Sequence, residues 1–167
     1  LYNNLILLLF IVQSNSMYPA YLCALMNILM VCLGNICRSP MAHGIMQQLI
    51  DANNLDWQVE SAGTNGFHTG EPPHKESINI CAQHGLDIQQ QRSIQFTKRM
   101  AKEYDVLVVM AKDVYNDCVR ILDKDDELCK KLCYLLDELY PGEHRDVTDP
   151  WYGGPEGYLP VYTEIEK

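Results

Sequence analysis

An apolar run, Ile28-Leu29-Met30-Val31, leads directly into the octapeptide Cys32-Leu33-Gly34-Asn35-Ile36-Cys37-Arg38-Ser39, and a helix-like stretch opens at Pro40. A short apolar run bounded by a glycine-containing loop reads as a buried strand. A proline in the first turn suits a helix start. The chain therefore passes from strand to helix through one short loop, as α/β proteins do. Such a loop turns backbone N–H groups toward its own centre, and the helix dipole adds positive charge there. Its centre is a site for a tetrahedral oxyanion. Arg38 lies six positions after Cys32 and offers a planar fork for two of the anion's oxygens. The same field favours a thiolate at Cys32, and a thiolate facing a bound phosphoryl group is an activated nucleophile. The phosphate-binding loop so read comprises Leu33, Gly34, Asn35, Ile36, Cys37 and Arg38. A Cys-x5-Arg spacing recurs by chance; the preceding strand, Gly34, Ser39 and Pro40 all fit the same device.

The rest of the chain alternates in the same manner. The pattern predicts a strand over 27–31, a helix from Pro40 to about Ala52, and a second strand over 57–60. A turn-rich loop, Ser61-Ala62-Gly63-Thr64-Asn65-Gly66, comes next. A helix through Ile78, Cys81 and Ala82 stops at Gly85, a C-cap glycine. Further on, helix is expected over 96–102, strand over 104–110, helix over 111–122, strand over 131–136 and helix over 155–167. Pro160 fits that last helix only near its first turn. Val106-Leu107-Val108-Val109 is apolar throughout, as in a strand covered on both faces. The expected fold is an α/β three-layer sandwich, a parallel sheet with helices on both faces. Its site lies beyond the carboxyl ends of the strands, where Cys32 sits.

Length bounds this to one domain: 167 residues. The net charge of −9 disfavours nucleic acid and anionic membrane as partners. Seven cysteines, an odd number at irregular spacing, indicate reduced thiols and a cytoplasmic setting. Cys129 and Cys133 lack the second Cys/His pair that a structural metal site needs, so no metal is expected. Residues 1–25 carry no charge. Their apolar run Leu5 to Val12 is too short for a membrane span and lacks a basic flank, so these residues read as an extension outside the fold. The folded domain is expected over 26–167.

A second dense signal is Asp149-Pro150-Trp151-Tyr152-Gly153-Gly154. Thiolate attack on a phosphate ester expels an alkoxide or phenoxide, which needs a proton. A loop carboxylic acid can supply it and then act as base toward water, and Asp149 is the candidate. Trp151 and Tyr152 beside it offer walls for a flat leaving group.

Taken together, these motifs closely resemble the low-molecular-weight protein tyrosine phosphatase family, from about Met26 to Lys167. Cys32 to Pro40, Ser61-Ala62-Gly63-Thr64 and Asp149-Pro150-Trp151-Tyr152 match in the expected order. The resemblance implies a central four-stranded parallel sheet and a two-step mechanism with no metal or cofactor. It implies a phosphotyrosine-containing protein as substrate, in bacteria often a tyrosine kinase. By the same resemblance Cys32 is the nucleophile, Arg38 binds phosphate and Asp149 is the general acid. Ser39 supports the thiolate, and Asn35 holds the loop in shape with His84 in its network. Leu33, Ile36, Phe67, Trp151 and Tyr152 line the entrance. Cys37 is a second thiol able to form a reversible disulfide with Cys32 under oxidation.

The chain departs from the family pattern at His43, at Pro72-Pro73-His74-Lys75-Glu76 and at Ala111. It also ends about three helical turns earlier than usual, so a shortened last helix is expected. His43, His68, His74 and His144 are read as surface or turn residues rather than ligands. Three alternatives stay open. A thiol-dependent arsenate reductase would need a downstream cysteine pair, and only Cys118 occupies such a position, with Ala111 at the other. A protein-arginine phosphatase would carry threonine where Ile36 stands. An inactive phosphate-binding module would have lost the nucleophile or the acid.

Overall fold

The structure is a computed structural model, and it describes residues 25–167. The apolar run Leu5 to Val12 and Cys23 lie outside the described residues. Four strands, β1 (Met26–Cys32), β2 (Trp57–Gly63), β3 (Val106–Val109) and β4 (Leu132–Tyr134), form one sheet in the order β2-β1-β3-β4. All three pairings are parallel. The helices are α1 (Arg38–Ala52), α2 (Lys75–Gln83), α3 (Lys98–Glu103), α4 (Lys112–Ile121), α5 (Asp126–Cys129) and α6 (Tyr158–Glu166).

The alternation of β1 builds the three layers. Ile28, Met30 and Cys32 face one core with Met41 and Ile45 of α1, Ile80 of α2, and Val161 and Ile165 of α6. Leu29 and Val31 face the other with Ala101 of α3, Val114 and Cys118 of α4, and Leu128 of α5. Because both faces are covered, successive buried residues of the central strands, Ile28–Cys32 and Val106–Val109, are apolar. That is why β1 and β3 read as unbroken apolar runs rather than alternating ones.

The boundaries correct several sequence expectations. β2 runs on through Ser61, Ala62 and Gly63, which pair with Met30, Val31 and Cys32. Their small size looked like a turn, yet it serves a close approach. A Cβ on Gly63 would lie 2.9 Å from the Leu33 carbonyl oxygen and 3.0 Å from the Asn35 nitrogen, inside normal contact distance. The third helix begins at Lys98 because the Thr97 side chain caps it, accepting from the Met100 N–H. Phe96 meanwhile donates its N–H to the Gly63 carbonyl. The last strand ends at Tyr134, and Leu135–Glu138 turn into a 3-10 helix. Another 3-10 turn, Pro155–Gly157, precedes α6, which puts Pro160 in the first turn of that helix. Gly85 follows α2 at φ +79°, the left-handed conformation of a C-terminal glycine. Among the described residues no helix is long and apolar enough to cross a membrane.

Glu138, in the turn after β4, lines an apolar groove with Met30, Leu49, Leu135 and Ile165. Burial, reinforced by neighbouring Asp137, pushes its carboxyl up to about 7 from an ordinary 4.5. Between those values the folded state binds more protons than the unfolded chain, so Glu138 lowers stability as pH rises through that window. Glu138→Gln is expected to raise the melting temperature at pH 8 and to leave it unchanged below pH 4.5. Melting curves across that range check both ends, and a destabilised variant at pH 8 would contradict the account.

Candidate active site

β1 delivers Cys32 to the carboxyl edge of the sheet, and the loop from there to the start of α1 wraps around its thiol. The Asn35 N–H reaches Cys32 Sγ at 3.2 Å and the Ser39 hydroxyl donates to it at 3.0 Å. Two donors thus converge on this one sulfur. The loop's carbonyls are engaged from outside. Cys32 O accepts from Thr64 N–H at 3.0 Å, Leu33 O from Asn65 N–H at 3.0 Å and Ile36 O from His74 N–H at 2.7 Å. Gly34 O accepts from the Ser93 hydroxyl at 3.1 Å. With its carbonyls bound outward, the loop keeps its free N–H groups on the inner side. Those of Gly34, Ile36 and Cys37 have no acceptor among the described residues. They add to the positive end of α1, whose N-cap has no side-chain hydrogen bond.

Asn35 holds this shape. Its φ of +54° is left-handed, a conformation asparagine tolerates better than most residues. Its amide donates to Ser39 Oγ and Ser61 Oγ at 2.9 Å each, and its carbonyl oxygen accepts from Ile94 N–H at 2.9 Å. The residue is buried. Asn35→Ala leaves the Ile94 N–H and two hydroxyls without their partner, so it is expected to lower stability by about 2–3 kcal/mol. Denaturant unfolding measures this, and a loss near zero would show that the network is not holding the loop.

His84 does not belong to that network. Its Nδ1 lies 2.9 Å from the Ile80 carbonyl oxygen and its ring stacks on Tyr162 at 4.2 Å between centroids. Ser39 and Ser61 take the two amide hydrogens of Asn35, the Ile94 N–H donates to its carbonyl oxygen, and among the described residues no hydrogen bond joins Asn35 to His84. Ser61 and Ile94 are the partners that sequence reading missed. The signal for Ser61 was a small polar residue entering the sheet edge; Ile94 acts through its backbone and leaves no signal.

Arg38 is buried at the start of α1. It donates to Asp149 Oδ2 at 2.6 Å and to the Val147 carbonyl at 3.3 Å. Asp149 Oδ1 accepts from the Trp151 N–H at 3.0 Å, closing a short 3-10 turn, Pro150–Tyr152. Cys32, Arg38 and Asp149 thus border one cleft of about 160 Å³, with Leu33, Ile36, Trp151 and Tyr152 on its walls.

Phe67 is not among them. It is 87 % exposed and points away, while His68 forms the wall instead. The His68 ring lies 5.8 Å from that of Trp151, and its Nδ1 pairs with Glu71 at 2.8 Å. His74, expected as a turn residue, also reaches the site through Trp151 and Tyr158. His43 is likewise largely buried, and that burial lowers its imidazole below the ordinary range. Cys37 is buried beneath the loop, and burial pushes its thiol up to about 11. Its Sγ lies 3.5 Å from the Tyr158 hydroxyl.

The model of the family described as low molecular weight phosphotyrosine protein phosphatase matches residues 27–167. This chain belongs to that family. It is 31 % identical to a human low molecular weight phosphotyrosine protein phosphatase, covering 84 % of this chain and 89 % of the human one. It is 32 % identical to the Saccharomyces cerevisiae phosphatase of that description, covering 83 % of this chain and 88 % of the yeast one. Among solved structures it resembles Vibrio vulnificus Wzb in complex with benzylphosphonate, with TM-score 0.76 and 26 % identity, covering 86 % and 93 % of the two chains. Family membership accounts for the four-stranded parallel sheet and for the loop between β1 and α1.

Proposed function

We propose that this protein hydrolyses phosphotyrosine in proteins through a phosphocysteine intermediate. The observation that carries the reading is the meeting of Cys32, Arg38 and Asp149 around one cleft whose walls are aromatic and aliphatic. The phosphate dianion enters the loop and takes the Arg38 guanidinium, which in the resting site pairs with Asp149. Cys32 Sγ attacks phosphorus, and the bond from phosphorus to the tyrosine oxygen breaks. Loop N–H groups and Arg38 stabilise the charge on the equatorial oxygens. Asp149 gives its proton to the departing phenoxide. The resulting carboxylate then takes a proton from water as that water attacks phosphorus, releasing inorganic phosphate and Cys32 thiolate.

The similarity to a structure that holds an arylmethyl phosphonate supports an aromatic phosphate ester as substrate. Ile36, on the cleft wall, cannot hydrogen-bond and suits an aromatic ring better than a guanidinium. A bacterial tyrosine kinase as the phosphorylated protein rests on family resemblance. A reducing, cytoplasmic location is supported by the six unpaired thiols of the described residues. Redox protection of Cys32 by Cys37 is supported by their places in one short loop.

The test is phosphate release by the full chain, with EDTA present, from matched phosphotyrosyl, phosphoseryl and phosphoarginyl peptides. Release from the phosphotyrosyl peptide alone is the expected result. Faster release from phosphoarginine would replace this reading with the arginine-phosphatase one.

A further inference from the structure

Just before the acid the backbone is tied to the end of β3, Val147 N–H donating to the Met110 carbonyl at 2.7 Å, but the stretch that follows Asp149 is poorly tied by its backbone. Between Pro150 and Gly157 its backbone–backbone hydrogen bonds are internal: Gly153 N–H to Pro150 O at 3.1 Å and Gly157 N–H to Gly154 O at 2.9 Å. Among the described residues no backbone bond joins this stretch to the phosphate loop or to α2. Gly153, Gly154 and Gly157 make it costly to order. Side chains must therefore place it.

His68 meets Trp151 at 5.8 Å and Cys37 Sγ lies 3.5 Å from the Tyr158 hydroxyl, but among the described residues His74 alone touches both aromatic residues. Its ring meets the Trp151 ring edge-on at 5.6 Å and stacks on Tyr158 at 5.4 Å. Its Nδ1 lies 2.9 Å from the Tyr158 hydroxyl, and its own N–H donates to the Ile36 carbonyl at 2.7 Å. One residue thus joins the phosphate loop to both ends of the glycine-rich stretch. The ion pair from Arg38 to Asp149 cannot substitute for it during catalysis. Once substrate phosphate occupies the guanidinium, Asp149 loses that partner, and the grip on Trp151 and Tyr158 remains.

We propose that His74 is a positioning residue for the general acid, acting through Trp151 and Tyr158 to hold the Asp149 loop over the phosphate loop. This rests on the reading of Asp149 as the acid. Proton transfer to a leaving oxygen requires hydrogen-bond geometry, so a loosened loop should hurt most where the leaving group most needs the proton. Phenyl phosphate, with its less acidic phenol, depends on the acid more than p-nitrophenyl phosphate does.

His74→Ala removes the ring. His74→Asn removes it too but keeps a capping oxygen for the Glu76 N–H, which His74 Nδ1 accepts at 3.4 Å, so α2 retains its start. In both variants kcat/KM on phenyl phosphate is expected to fall about tenfold and on p-nitrophenyl phosphate less than about threefold, a part of what full general-acid catalysis provides. Equal losses on the two esters, or no loss in the asparagine variant, would overturn the proposal. Asp149→Ala run beside them separates the two readings. If it too shows no dependence on the leaving group, the acid assignment falls and this proposal with it; if only the His74 variants lack that dependence, this proposal falls alone.

Discussion

Cys32→Ser is expected to lower turnover of a phosphotyrosyl peptide by roughly 10⁴-fold or more, as removal of a catalytic nucleophile commonly does. The fold and the phosphate site should survive. The loop is held by bonds that do not involve sulfur: its outward carbonyls, the Asn35 amide and the Ile94 N–H. What the substitution removes is the sulfur nucleophile. A serine hydroxyl is neutral at pH 7, and the groups around position 32, the Asn35 N–H and the Ser39 hydroxyl, donate to it rather than accept its proton. Nothing there acts as the base that a serine nucleophile needs. Steady-state kinetics alongside calorimetric binding of the same peptide make the check. Lost turnover with retained binding is the expected pair. Residual activity above roughly a hundredth of the original rate would mean that the nucleophile is a different group.

The second large effect is expected at Arg38. Arg38→Lys keeps the charge but replaces a fixed fork by a single ammonium on a shorter reach. In the resting site two different nitrogens of Arg38 bond Val147 O and Asp149 Oδ2. A lysine can match at most part of that, and it cannot grip two oxygens of a transferring phosphoryl group in one plane. We expect kcat/KM to fall on the order of 10³-fold, the scale of losing a preorganised transition-state donor. Inhibition by inorganic phosphate should weaken at the same time. If kcat/KM fell tenfold or less on the same scale, charge alone would suffice and the bidentate account would be wrong.

How much of this was legible in the sequence differs from element to element. β3 is recognisable because four apolar residues in a row have few alternatives in an α/β chain, although the strand, Val106–Val109, is shorter than the expected 104–110. The sequence pattern cuts β2 short because Ser61, Ala62 and Gly63 carry turn-like side chains, while their real constraint is the space left by the neighbouring loop. Phe67 and His68 show the same limit at one residue's resolution. Both sit beside the cleft, and only the direction of each side chain decides that the imidazole lines it and the benzyl group faces water.

The sequence by itself determined the strand–loop–helix segment that carries Cys32 and Arg38. Strand, loop and helix start lie within fifteen residues, and the spacing from Cys32 to Arg38 is a local property that no distant contact needs to supply. It also determined Asp149 as the acid candidate, because the chemistry at Cys32 requires a proton donor and one aromatic-flanked loop carries a carboxylate. Only the tertiary structure decided what surrounds these groups. Asn35 meets Ser61 across 26 residues, His74 meets Tyr158 across 84, and Cys37 meets the same tyrosine across 121. Contacts of that range are set by how the helices pack on the two faces of the sheet. No local pattern encodes which side chain then fills the space beside the loop, and that is why Ser61 and Ile94, rather than His84, stand in the Asn35 network.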